Sequence, residues 1–191
     1  MKGYSNEYIK MKKTLVVHPY DETTLELEEV YRGKPVDILH RADITRADVE
    51  DAIAMGGYRR VILLGHGTPL GLCNMKTNSY IFDHGTYKNY THARSIELVA
   101  VWCNANQFFM KVDEPDDVFS TGMFVSELRE EKDYFLNKAT EQEIHDQFLL
   151  FSKVLNTAAF LPINKIKEYI DENYIGEDEV TKFNRAQMEL G

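Results

Sequence analysis

Two apolar runs with little or no alternation, Arg60-Val-Ile-Leu-Leu64 and Ser95-Ile-Glu-Leu-Val-Ala-Val-Trp102, restrict the fold more than any other feature of the sequence. A strand with one wet face alternates apolar and polar side chains. A run that is apolar at successive positions belongs to a strand covered on both faces, as in a parallel sheet flanked by helices. Thr14-Leu-Val-Val17, stopped by His18-Pro19, and Val36-Asp-Ile-Leu39 read as two more strands of that sheet, because a proline cannot donate to a central ladder.

Helical signals fall between the strands. Leu25, Leu27 and Val30 lie among glutamates from Asp21 to Tyr31, and Gly33 with Pro35 closes the pattern. Thr45 followed by Asp48 opens a helix with Val49, Ala52 and Ile53 on one face, and Gly56-Gly57 ends it. From Gly71 to Tyr90 the run Tyr80-Ile-Phe82 with Asp83-His84-Gly85 predicts a small antiparallel excursion, and Thr121–Ser126 a further strand after the acidic turn Asp113–Asp117. Three C-terminal helices follow, with stripes Ile144/Phe148/Phe151/Leu155, Ile163/Ile166/Ile170 and Val180/Phe183/Ala186/Leu190, separated at Pro162 and Gly176. The expected fold is a three-layer α/β/α sandwich on a mostly parallel sheet. At 191 residues this is one domain, with a core over about 14–126 and a helical C-terminal extension over 138–191.

Composition narrows the partners. A net charge of -9 repels phosphate backbones, and the basic concentration at Lys2, Lys10, Lys12 and Lys13 is a solubilising arm, so nucleic acid is not expected. No run reaches the ~20 apolar residues of a membrane helix and the start lacks a secretory h-region, so no membrane partner and a cytoplasmic location are expected. Cys73 and Cys103, the two cysteines, lack CxxC spacing and fit a reducing compartment with free thiols.

Ligands of open α/β sheets bind outside the carboxyl ends of the strands. Two of those ends carry reactive groups: Leu64 leads into Gly65-His66-Gly67, and Trp102 into Cys103-Asn-Ala-Asn106. A thiol attacks only as thiolate, and an imidazole in reach can hold that anion and later protonate a leaving amine. Asn104 or Asn106 would cap a short helix whose N-terminal charge lowers the thiol pKa. Gly67, lacking a side chain, would let its N–H approach a carbonyl oxygen, with the Cys103 N–H as the second donor of an oxyanion hole.

Val61-Ile-Leu-Leu-Gly-His66-Gly67 followed by Leu98-Val-Ala-Val-Trp-Cys103 resembles the caspase, gingipain, clostripain and separase clan of cysteine peptidases, in which histidine precedes cysteine. The resemblance covers roughly Thr14 to Ser126. It implies an α/β/α sandwich with His66 as base, Cys103 as nucleophile, Gly67 beside the oxyanion, a peptide or protein substrate and no cofactor. The Gln-Ala-Cys-x-Gly signature of caspases is absent, and Val101 stands where clostripain and metacaspases have Asp, so no cleavage-site preference is carried over.

Other readings compete. A cysteine at the end of a buried strand is commonly a small core residue, which would make the chain an inactive module of the same fold, binding a protein through the His84 excursion or the C-terminal helices. Gly65-His-Gly-Thr-Pro-Leu-Gly71 could serve a Rossmann-like small-ligand domain, although it contains Pro69 and opens no clear helix. His84-Gly85 is a second candidate base. Cys73, Asp83, His84 and His92 lack the paired spacing of a metal site, so none is expected. Trp102, next to Cys103, should point to the opposite face of its strand, into the core.

Overall fold

The computed structural model describes residues 13–111, 117–135 and 139–190. Lys2, Lys10 and Lys12 of the basic arm and 113–116 of the acidic turn lie outside them.

Strands β1 (Thr14–Val17), β2 (Asp37–Leu39) and β3 (Arg60–Leu64) come first. The antiparallel excursion follows as β4 (Gly67–Thr68), β5 (Gly71–Asn74) and β6 (Ser79–Asp83), and then β7 (Glu97–Val101), β8 (Val118–Thr121) and β9 (Met188–Leu190). The main sheet has the order β2-β1-β3-β7-β8-β9, parallel except for β9, and β4-β5-β6 form a separate antiparallel sheet. The two apolar runs behave as anticipated: every residue of β3 is buried, as is every residue of β7 except half-buried Glu97. Side chains alternate between two apolar layers. Leu15, Val17, Val61, Leu63, Leu98, Ala100 and Trp102 belong to one, and Val16, Ile62, Leu64, Val99 and Val101 to the other.

The first layer is closed by helix α1 (Arg46–Gly56), the short α2 (His84–Thr86) with the helical turns that run on to Arg94, and α3 (Ala105–Phe109). In α1 the predicted capping box forms: the Thr45 hydroxyl takes the Asp48 N–H, Asp48 reaches back to the Thr45 N–H, and Gly57 ends the helix at φ 62°. The second layer is closed by a 3₁₀ segment, Glu22–Val30, and by α5 (Glu141–Ala158) and α6 (Ile163–Asn173). Phe148, Phe151, Leu155, Ile166 and Ile170 pack there as their spacing predicts. At the N-terminal edge of the sheet, buried Arg60 donates to Glu97 at 2.6 Å and to the Ala159 carbonyl at 2.6 Å, tying the α5–α6 turn to β3 and β7.

Four expectations need correction. The segment after Asp21 is a 3₁₀ helix kinked at Thr24, and Leu25 faces solvent while Leu27 and Val30 are buried. The strand expected over Thr121–Ser126 ends at Thr121, because Gly122–Ser126 is held as a loop by α7 (Glu179–Ala186) and by α4 (Leu128–Phe135). Helix α4 had not been anticipated. The last helical stripe stops at Phe183: Ala186 is exposed, and Leu190 belongs to β9, which pairs antiparallel with β8. No helix among the described residues is long and apolar enough to cross a membrane.

Candidate functional site

The register of β3 and β7 places the two candidate groups. Leu64 pairs with Val101, and the Gly65 N–H extends the ladder to the Val101 carbonyl at 3.1 Å. His66 and Cys103 each lie two residues past that pair, at one level on adjacent strands. The alternation that sends Trp102 to the opposite layer turns Cys103 toward the face that carries Val99 and Val101. Both residues line a cavity of about 20 Å³ with Thr24, Leu27, Phe124 and Phe148. Such a space holds about one water and no peptide.

Cys103 is capped. Its Sγ lies 3.5 Å from the Phe124 carbonyl oxygen and 3.7 Å from the Glu130 carboxylate, either of which can accept its single proton. Burial first, and then the negative charges of Glu130 and Glu127, push the thiol up to about 12, so it is protonated at neutral pH. The expected lowering by a following helix is not seen. Helix α3 has five residues, and Asn104 occupies its N-cap in the left-handed region at φ 65° without a side-chain cap bond.

The cap is built from distant parts of the chain. Buried Asn184 on α7 accepts the Val125 N–H at 2.8 Å and donates to the Val125 carbonyl at 3.0 Å, fixing the backbone beside Phe124. Glu130 accepts the N–H groups of Ser126 at 2.9 Å and Glu127 at 3.1 Å, satisfying donors at the start of α4 while its other oxygen faces the thiol.

His66, with a side chain 19% exposed, faces carboxylates and a hydroxyl. Its Nε2 lies 2.6 Å from the Thr23 hydroxyl, 3.7 Å from Asp21 and 3.8 Å from Glu127. Asp21 accepts the Thr23 amide at 2.9 Å and the Thr23 hydroxyl at 2.6 Å. Burial would raise the Asp21 carboxyl, but these bonds and the neighbouring imidazole outweigh it and hold the group below its ordinary range.

Packing alone leaves no room for a side chain at Gly67. A Cβ there would stand 2.1 Å from Cδ1 of Trp102 and 2.7 Å from the Gly71 carbonyl oxygen. Trp102 is 2% exposed, donates Nε1–H to the Thr68 carbonyl at 3.1 Å and packs edge-on to Phe108, so it is core, as its alternation predicts.

The other candidates lie elsewhere. His84 stacks on Phe108 at 4.3 Å with its Nε2 3.3 Å from the Phe108 carbonyl oxygen, on the layer opposite to Cys103. The Gly65–Gly71 stretch contains β4 and its turn into β5, so no helix N-terminus stands behind it to receive a phosphate. Among the described residues no group of three or more His, Cys, Asp or Glu could hold a metal ion.

His18 and Thr23 were not among the sequence-derived site residues. Fully buried His18 contacts the Tyr31 hydroxyl and the Thr24 hydroxyl, each at 3.2 Å, and stacks edge-on to His40 at 4.8 Å. Burial, followed by the neighbouring His40, lowers it to about 3, with Thr24 and Asp21 opposing and His66 adding a small lowering. The unfolded chain therefore binds a proton near pH 6.5 that the folded chain refuses until about pH 3. Stability from this group is full above the unfolded value and is lost as pH falls through that window, by up to about 1.4 kcal/mol per pH unit. In His18→Gln the urea midpoint should fall less steeply between pH 7 and pH 4 than in the wild type. Parallel curves would exclude His18 as the source.

No protein-family model matches the chain, and no curated protein matches it.

Proposed function

We propose that the chain is a caspase-like cysteine endopeptidase with His66 and Cys103 as its catalytic pair. One observation carries the reading: a histidine and a cysteine stand level on the carboxyl ends of adjacent parallel strands and line one cavity. In the reaction, Cys103 Sγ passes its proton to His66 and attacks the peptide carbonyl carbon, and the amides of Gly67 and Cys103 receive the oxyanion. The C–N bond then breaks as His66 protonates the leaving amine. Water hydrolyses the thioester, giving its proton to His66, and the thiol is restored.

A groove of about 790 Å³ supports this reading. It shares Ser126 and Phe148 with the small cavity and includes Thr23, whose hydroxyl touches His66. Its walls carry Glu22, Glu26, Glu127 and Glu141 against Arg129, which favours peptides bearing lysine or arginine. The protonated, capped thiol describes a resting state, and Phe124 and Glu130 must withdraw before a carbonyl reaches Sγ. The same cap supports a second reading, an inactive module of this fold. Incubating the protein with a peptide library and sequencing the products by mass spectrometry separates the two. A cysteine peptidase gives cleavage that disappears in Cys103→Ser, and an inactive module gives none.

A further inference from the structure

We infer that Asp21 and Thr23 fix the tautomer of His66, placing its proton on Nε2 and leaving Nδ1 as the basic nitrogen. A threonine hydroxyl has one proton to give. The Asp21 carboxylate can only accept, and it lies 2.6 Å from the Thr23 oxygen, so the hydroxyl proton is committed there. The same oxygen lies 2.6 Å from His66 Nε2, and with its proton spent it can only accept from that nitrogen. Nε2 therefore carries hydrogen, and the lone pair of the neutral ring is on Nδ1. Among the described residues no hydrogen bond or ion pair engages Nδ1. The carboxylate-to-hydroxyl relay thus does for His66 what a directly bonded carboxylate does for other catalytic histidines.

The relay comes from the local fold of the 3₁₀ segment. Asp21 caps it through the Thr23 N–H, and the same turn brings the Thr23 hydroxyl onto the Asp21 oxygen. The cap and the relay can be separated. Thr23→Val keeps the N–H that Asp21 caps and removes only the hydroxyl. Thr23→Ser keeps both. Asp21→Asn still caps, but its amide accepts or donates, so the hydroxyl is no longer forced to face away from Nε2. Thr23 and Asp21 are positioning residues, and their role in catalysis rests on the peptidase reading; the tautomer does not.

Nitrogen-15 NMR of histidine-labelled protein at a pH where His66 is neutral reports the tautomer directly. The wild type and Thr23→Ser should show a protonated Nε2 and an unprotonated Nδ1. In Thr23→Val and Asp21→Asn the Nε2-protonated population should fall about tenfold relative to the other tautomer, the worth of one hydrogen bond. With a cleavable peptide, Thr23→Val should lose about tenfold in kcat with KM little changed, and Thr23→Ser should recover it. A wild-type ring protonated on Nδ1, or a Thr23→Val spectrum identical to wild type, would overturn the inference. A protein with the expected tautomer that cleaves nothing would remove the peptidase reading and leave this one standing.

Discussion

Replacing His66 by alanine is expected to slow peptide cleavage by about 10²–10⁴-fold, the usual worth of a positioned general acid–base group. The loss should sit mainly in kcat, because the imidazole contributes to proton transfer more than to substrate binding. Stability should change little. His66 lies at the rim of the sheet and its close contact is the Thr23 hydroxyl, so its removal costs about 1 kcal/mol, or roughly 2–4 °C in Tm. That combination separates a catalytic histidine from a structural one. Equal cleavage by folded His66→Ala and wild type would show that the ring takes no part in the reaction.

Gly67→Ala should act in the opposite way, destabilising the whole fold by about 3 kcal/mol, at the upper end of the usual cost of overpacking. The added methyl would stand 2.1 Å from Trp102 Cδ1, 2.5 Å from its Cγ and 2.7 Å from the Gly71 carbonyl oxygen, so backbone as well as side chain must yield. Trp102 has little freedom to move, being held by its bond to Thr68 and by the rings of Phe82, Phe108 and Phe109. For a chain of this size the loss corresponds to roughly 6–12 °C in Tm. Gly85→Ala is the control, because its added methyl would meet only side-chain ends of Asp83 and Arg46, at 3.2 and 3.4 Å. Calorimetry of the two variants makes the comparison, and equal midpoints would mean that Trp102 has somewhere to go.

The parts of the fold that were legible in the sequence are those set by local chemistry. The nearly all-apolar runs of β3 and β7 read as strands covered on both faces, and the Thr45–Asp48 box with Gly57 marks both ends of α1. Since strand alternation is local too, the core position of Trp102 follows from the sequence, as does the level placement of His66 and Cys103 once the two strands are adjacent. What escaped depends on partners far along the chain. Gly122–Ser126 reads as a strand by composition, but the Asn184 clamp from α7 and the Glu130 carboxylate hold it as a loop over Cys103. Three-residue β9 carries no local signal and exists because β8 offers an edge. Thr23 gave no warning either, since its bond to His66 spans 43 residues, although an Asp two residues before a Thr is a recognisable 3₁₀ or Asx-type cap. The state of the thiol is set at long range too: burial and Glu130 decide it, and not the N-terminal charge of the helix that follows.

The most direct measurement is covalent capture. The protein is incubated with a peptidyl acyloxymethyl ketone bearing lysine or arginine next to the warhead, and each species is weighed intact and then mapped by peptide sequencing. One adduct on Cys103 is expected in the wild type, with none in Cys103→Ser and a rate at least tenfold lower in His66→Ala. Labelling of Cys73 instead, or labelling of Cys103 at the same rate with and without His66, would show that the histidine and the cysteine do not work as a pair.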